Sequence, residues 1–182
     1  MSNQITDEEF KEFDRISKKL YSEITREEKA FYERVTQQFS YYDNLTFEEF
    51  KQRVQEEPFN YASGEDALRR VRNVSIRDYK GVSANACPKF EYQNNRLNVY
   101  FNVNLRKNCP DGELEPQLIH ELLHVHWRVQ GSGAFGYFIR DVKNCNIEEL
   151  ICKKEKDIMK AYPELGSHLL DILKHQNKVS EN

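Results

Sequence analysis

Apolar residues recur at helical spacing through the first third of the chain and change to a period of two after it. Phe10, Phe13, Ile16, Leu20, Ile24 and Phe31 form a stripe behind Thr6-Asp7-Glu8-Glu9, where threonine and glutamate have the spacing of a capping box. This pattern predicts one long, polar-rich helix from about residue 7 to Phe39, then a break at Ser40-Tyr41-Tyr42-Asp43-Asn44. Thr46-Phe47-Glu48-Glu49 repeats the capping signal and opens a short helix that stops before Pro58. A third helix is expected from Ser63-Gly64-Glu65-Asp66 to about Arg72, with Ala67, Leu68 and Val71 turned inward. No Gly/Ser/Pro-rich linker intervenes, so residues 1–65 read as a helical layer packed on residues 66–178.

Alternation begins at Val74-Ser75-Ile76-Arg77-Asp78-Tyr79 and returns in Phe90-Glu91-Tyr92 and from Leu97 to Leu105. Strands are expected at about 74–80, 88–93 and 96–105, the last two joined as a hairpin at Asn94-Asn95. An apolar helix follows, with Pro116 in its first turn and its end near Gly131. Beyond a glycine-rich loop, 131–145, Asn146 caps a helix to about Ala161, and Pro163 begins a last one to about His175. The class is α+β: a small mixed sheet backing the apolar helix, with helices on both flanks.

The chain has 182 residues, long enough for a real core, with a net charge of −3 and no basic stretch. Charge therefore gives no footprint for nucleic acid. The first residues lack the basic and apolar regions of a signal peptide, and no membrane anchor is read. Four scattered cysteines (Cys87, Cys109, Cys145, Cys152) suggest reduced thiols in an intracellular, cytoplasmic protein. A Cys87–Cys109 bridge in a secreted protein is the minority reading.

The chemistry is concentrated in Leu118-Ile119-His120-Glu121-Leu122-Leu123-His124-Val125-His126-Trp127. His120 and His124 stand four apart on one helical face, a spacing that suits zinc. Glu121 points to the adjacent face, where it can act as general base on a water held by the metal. A catalytic zinc takes three protein ligands, so a third must come from elsewhere. His126 faces away from the pair, and His168 and His175 lie far along the chain. Glu148 flanks the apolar stripe of Ile147, Ile151 and Ile158 and is the first candidate, with Glu149 the alternative. An acidic residue in a first helical turn also has a simpler role, complementing the helix dipole. Tyr137 and Arg140 are candidate donors to a developing oxyanion.

The H-E-x-x-H helix, preceded by an amphipathic strand and followed by a helix bearing a carboxylate, resembles the gluzincin branch of zinc metallopeptidases over about residues 74–162. Its strand, hairpin and motif-helix order is also similar to SprT-type metalloproteases, which process proteins bound to DNA. Those take a third histidine shortly after the motif; this chain has none between 127 and 167. The resemblance implies a zincin-like domain over 66–178 with Zn2+ as cofactor. It also implies a peptide or protein substrate, hydrolysis by a zinc-activated water, and a strand, Leu97–Leu105, that binds extended peptide at its edge. The alternative is a catalytically inactive zincin-fold protein with a regulatory or binding role; a third reading is a helical interaction protein with an accidental motif.

Overall fold

Thr6 and Glu9 exchange two hydrogen bonds of 3.1 Å, the Glu9 N–H to the threonine hydroxyl and the Thr6 N–H to the glutamate carboxylate. They start helix α1 (Asp7–Ser17) in the computed structural model of the protein, which describes residues 5–37, 45–80, 84–94, 96–110, 112–129 and 144–182. The single long helix expected from the apolar stripe is two helices. Thr25 and Glu28 form another reciprocal cap, at 3.2 and 3.0 Å, and begin α2 (Arg26–Gln37) after a 3₁₀ turn at Tyr21–Glu23. The Glu28 carboxylate also accepts from Lys19 and Arg15, which closes the turn. Leu20 falls in that turn and is 68% exposed instead of lying on the stripe. Local capping bonds satisfy helix-end N–H groups wherever they form, and here they interrupt the periodicity. The break expected at 40–44 lies outside the described residues.

Helix α3 (Phe47–Glu56) starts at the Thr46 cap and ends before Pro58, as its sequence predicts. Helix α4 (Tyr61–Leu68) starts earlier than expected, because Asn60 rather than Ser63 caps it: the Asn60 side chain accepts from the Ser63 N–H, and the Ser63 hydroxyl from the Asn60 N–H. It also ends before Arg72, since Val71 already belongs to a strand.

That strand, β1 (Val71–Asp78), lies in a four-stranded sheet with β2 (Asn85–Gln93), β3 (Arg96–Lys107) and β4 (Val179–Glu181), in the order β2-β3-β1-β4. The β2–β3 hairpin is antiparallel, with Gln93 opposite Arg96 and Asn94 at φ 53, the left-handed region that asparagine tolerates. β1 runs parallel to β3 and to β4. The mixed sheet was expected; β4 was not, since three residues are too few to show alternation. One expectation is overturned: the strand containing Leu97–Leu105 is not an edge, because β3 is paired on both sides. The antiparallel edge is β2.

Val74, Ile76, Phe101, Val103 and Leu105 bury one face of the sheet. Helix α5 (Leu114–Trp127) seats there, with Leu118, Ile119, Leu122, Leu123, Val125 and Trp127 buried. It packs against β2, β3, α4, α6 (Asn144–Ala161) and α7 (Leu165–His175), so it is the central helix of the main core. Gln117 fixes its start by bonding both backbone groups of Arg106 at 2.9 Å, joining the end of β3 to the first turn. α1 and α2 carry a smaller core of their own, in which Phe13 stacks on Tyr32 and Phe10 on Tyr92 of the hairpin.

The packing of α7 on α5 depends on one glycine. A Cβ at Gly166 would stand 2.6 Å from the Glu115 Cβ and 3.2 Å from its backbone. Gly166→Ala is therefore expected to destabilise the fold by about 1–3 kcal/mol, read in urea unfolding. Gly64→Ala, which meets side chains alone, Leu169 at 3.0 Å and Phe59 at 3.4 Å, should cost less.

Candidate metal centre

His120 and His124 lie one turn apart on α5, with ring centroids 5.1 Å apart. Both turn their Nε2 atoms towards α6, where Glu148 meets them: its Oε2 is 3.0 Å from His120 Nε2 and its Oε1 3.1 Å from His124 Nε2. The three side chains offer donor atoms within 4.8 Å of one another. Zinc bonds of about 2.0–2.2 Å in a tetrahedron put neighbouring ligand atoms roughly 3.3–3.6 Å apart, and both histidine contacts to Glu148 come within a few tenths of an ångström of that spacing. Two imidazoles and a carboxylate are also the donor chemistry zinc accepts. Glu149 is exposed on α6.

The other ring nitrogens are held as well. His120 Nδ1 lies 3.0 Å from the Glu155 carboxylate, and His124 Nδ1 lies 3.1 Å from the Val129 carbonyl. Each contact favours a proton on Nδ1 and so leaves Nε2 for a metal. The Val129 contact explains an early helix end. α5 stops at Trp127 instead of near Gly131, Arg128 takes the left-handed conformation at φ 56, and the Val129 N–H returns to the His124 carbonyl. The turn is clamped from α3: Arg53 donates to the Trp127 carbonyl, and the Glu57 carbonyl accepts from Trp127 Nε1 at 2.8 Å.

Glu121 is 5% exposed. Burial raises its carboxyl above the usual carboxylate range, opposed by His124 and His120 beside it and by the Ala86 N–H of β2. For His120, burial disfavours the cation, but the Glu148 and Glu155 carboxylates outweigh it and push the ring up to about 10. Burial works against ionised Glu148 too, and its bonds to His120 and His124 prevail, holding it far below the ordinary range. A metal ion on His120 Nε2 would take the place of the proton there.

The remaining histidines are engaged elsewhere. His126 Nε2 is 3.1 Å from the Glu57 carbonyl, His168 pairs with Glu65, and His175 faces the Asp171 carbonyl. Tyr137 and Arg140 lie outside the described residues. Cys87, Cys109 and Cys152 are free, so the Cys87–Cys109 bridge is not formed. Among the described residues, no helix is long and apolar enough to cross a membrane.

Sequence reasoning missed Glu155, Cys152 and Ala86. The first two carry a legible signal: Cys152 and Glu155 follow Glu148 by one and two helical turns and share its face. Cys152 Sγ, 3.9 Å from His120 Nδ1, forms with Glu155 and His120 a second donor group. That group holds only one imidazole, through the nitrogen turned away from Glu148, and Glu155 reads as the partner that orients the ring. Glu155→Ala is expected to weaken zinc binding by about 10–100-fold while all three candidate ligands remain, measured by competition with a chromophoric chelator. Comparison with protein-family models, curated proteins and solved structures finds no match for the chain.

Proposed function

We propose that the protein is a zinc-dependent metallopeptidase of zincin-like build, with His120, His124 and Glu148 as ligands and Glu121 as general base. The observation that carries this reading is the convergence of one α6 carboxylate on the Nε2 atoms of both motif histidines, beside a buried glutamate. Zinc in that place would supply an acidified water and an electrophile for the peptide carbonyl. Glu121, its carboxyl raised by burial, is suited to take a proton from that water and pass it to the leaving amine. Glu155 and the Val129 carbonyl hold the two rings in place.

Strand β2 supports the same reading. Phe101 donates to the Arg70 carbonyl on the β1 side, so alternate β3 residues pair with β2 through Asn85, Cys87, Lys89 and Glu91. The backbone of Ala86, Pro88, Phe90 and Tyr92 then points outward. Pro88, which has no N–H to donate, occupies a position an edge tolerates. The Ala86 N–H reaches Glu121, so this edge begins at the candidate base. An extended peptide added to β2 would run past Glu121 and take the role that the sequence predicts for β3.

The test is incubation of the zinc-loaded protein with an unfolded protein substrate, with fragments identified by mass spectrometry. New internal cleavage by the parent and none by Glu121→Gln supports the reading. Bound zinc without cleavage in either would instead indicate the non-catalytic, binding role.

A further inference from the structure

The sheet face turned away from α5 carries a charge pattern unlike the rest of the chain. A cavity of about 410 Å³ lies on it, bordered by Arg77 of β1, Lys89 of β2 and Lys178 just before β4. Among the described residues no acidic one lines it, although the whole chain has a net charge of −3. None of the three cations pairs with a carboxylate among the described residues. Its floor is hydrogen-bonding rather than apolar: the Asn73 amide donates to Asn102 at 3.2 Å, and Asn104 to Asn85 at 2.8 Å. A primary amide has two N–H groups and a two-lone-pair carbonyl, so these bonds leave donors and acceptors of Asn73, Asn102 and Asn104 for a ligand. On the β4 side of them stand Ser75 and Ser180, adjacent in register.

We propose that this face is a binding site for a nucleoside polyphosphate. The cavity volume falls in the range of small-molecule sites. Lysine and arginine at its border match phosphate oxygens. Asn73 and Asn102 present a carbonyl beside an amide N–H₂, the complement of a purine edge that offers a donor next to an acceptor. The site lies across the sheet from the candidate metal centre and shares no side chain with it.

Calorimetric titration of the full chain with ATP, sodium tripolyphosphate and a twelve-nucleotide single-stranded DNA separates the possibilities. The expected result is one ATP per chain, bound more tightly than tripolyphosphate. The exposed-face variants Lys89→Glu and Lys178→Glu should each weaken it by about tenfold or more. Asn102→Ala should narrow the difference between ATP and tripolyphosphate, and zinc content should stay that of the parent in all three variants. No ATP binding at millimolar concentration would overturn the proposal. So would tripolyphosphate bound as tightly as ATP, since the amides would then recognise nothing. ATP affinity unchanged in both lysine variants, or binding of the DNA alone, would overturn it as well.

Discussion

Glu121→Gln is expected to keep its zinc and to lose peptide hydrolysis, by about 10²–10⁴-fold. Glutamine has the same shape and can still accept the Ala86 N–H through its carbonyl oxygen, so the buried position should survive. It cannot take a proton at the operating pH. Because Glu121 touches none of the three candidate ligand contacts, zinc content should match the parent. The result that would sink this role is hydrolysis retained in Glu121→Gln at the parental rate. Loss of zinc together with activity would point to a ligand or structural role instead.

The second large effect is expected at the histidines. His120→Ala or His124→Ala removes one of three proposed ligands and should lower zinc affinity by more than about 100-fold, since loss of an orienting partner alone costs 10–100-fold. A bound metal stabilises the native state by mass action, so a chelator should lower the melting temperature of the parent and leave these variants unmoved. Circular dichroism separates this from unfolding. His126→Ala is the matched control: it lies on the same helix and faces Glu57 instead. Equal zinc affinity in parent and both variants would remove the metal reading.

Local chemistry sets the parts of the fold and site that are legible in the sequence. The Thr46 cap, the Asn94 turn and the apolar run around His120 each act within a few residues, and helix α3, the hairpin and α5 follow from them. Glu148 was reachable because helical geometry sets it beside the stripe of Ile147 and Ile151, and that stripe is buried against α5. What failed involved competition or distance. The Thr25–Glu28 cap overrode an apolar period that ran through it. The place of β3 inside the sheet was fixed by β1, about thirty residues earlier, and no alternation within β3 can report its neighbours. The early end of α5 depends on Glu57 and Arg53, contributed by α3 and the residue after it. Glu155 was overlooked for a different reason. Its spacing from Glu148 was visible, but its role appears only once His120 is seen to need a partner for its second nitrogen.

One zinc per chain on two imidazoles and a carboxylate can be read directly by X-ray absorption at the zinc edge. The protein is equilibrated with zinc, passed through a desalting column, and measured for stoichiometry and coordination shell together. The expected result is one equivalent of zinc with only nitrogen and oxygen at about 2.0–2.2 Å, including the outer-shell signature of two imidazoles. A sulfur shell near 2.3 Å would move the metal to a cysteine such as Cys152, and absence of retained zinc would leave His120, His124 and Glu148 without a metal to hold; either result would overturn the zinc site.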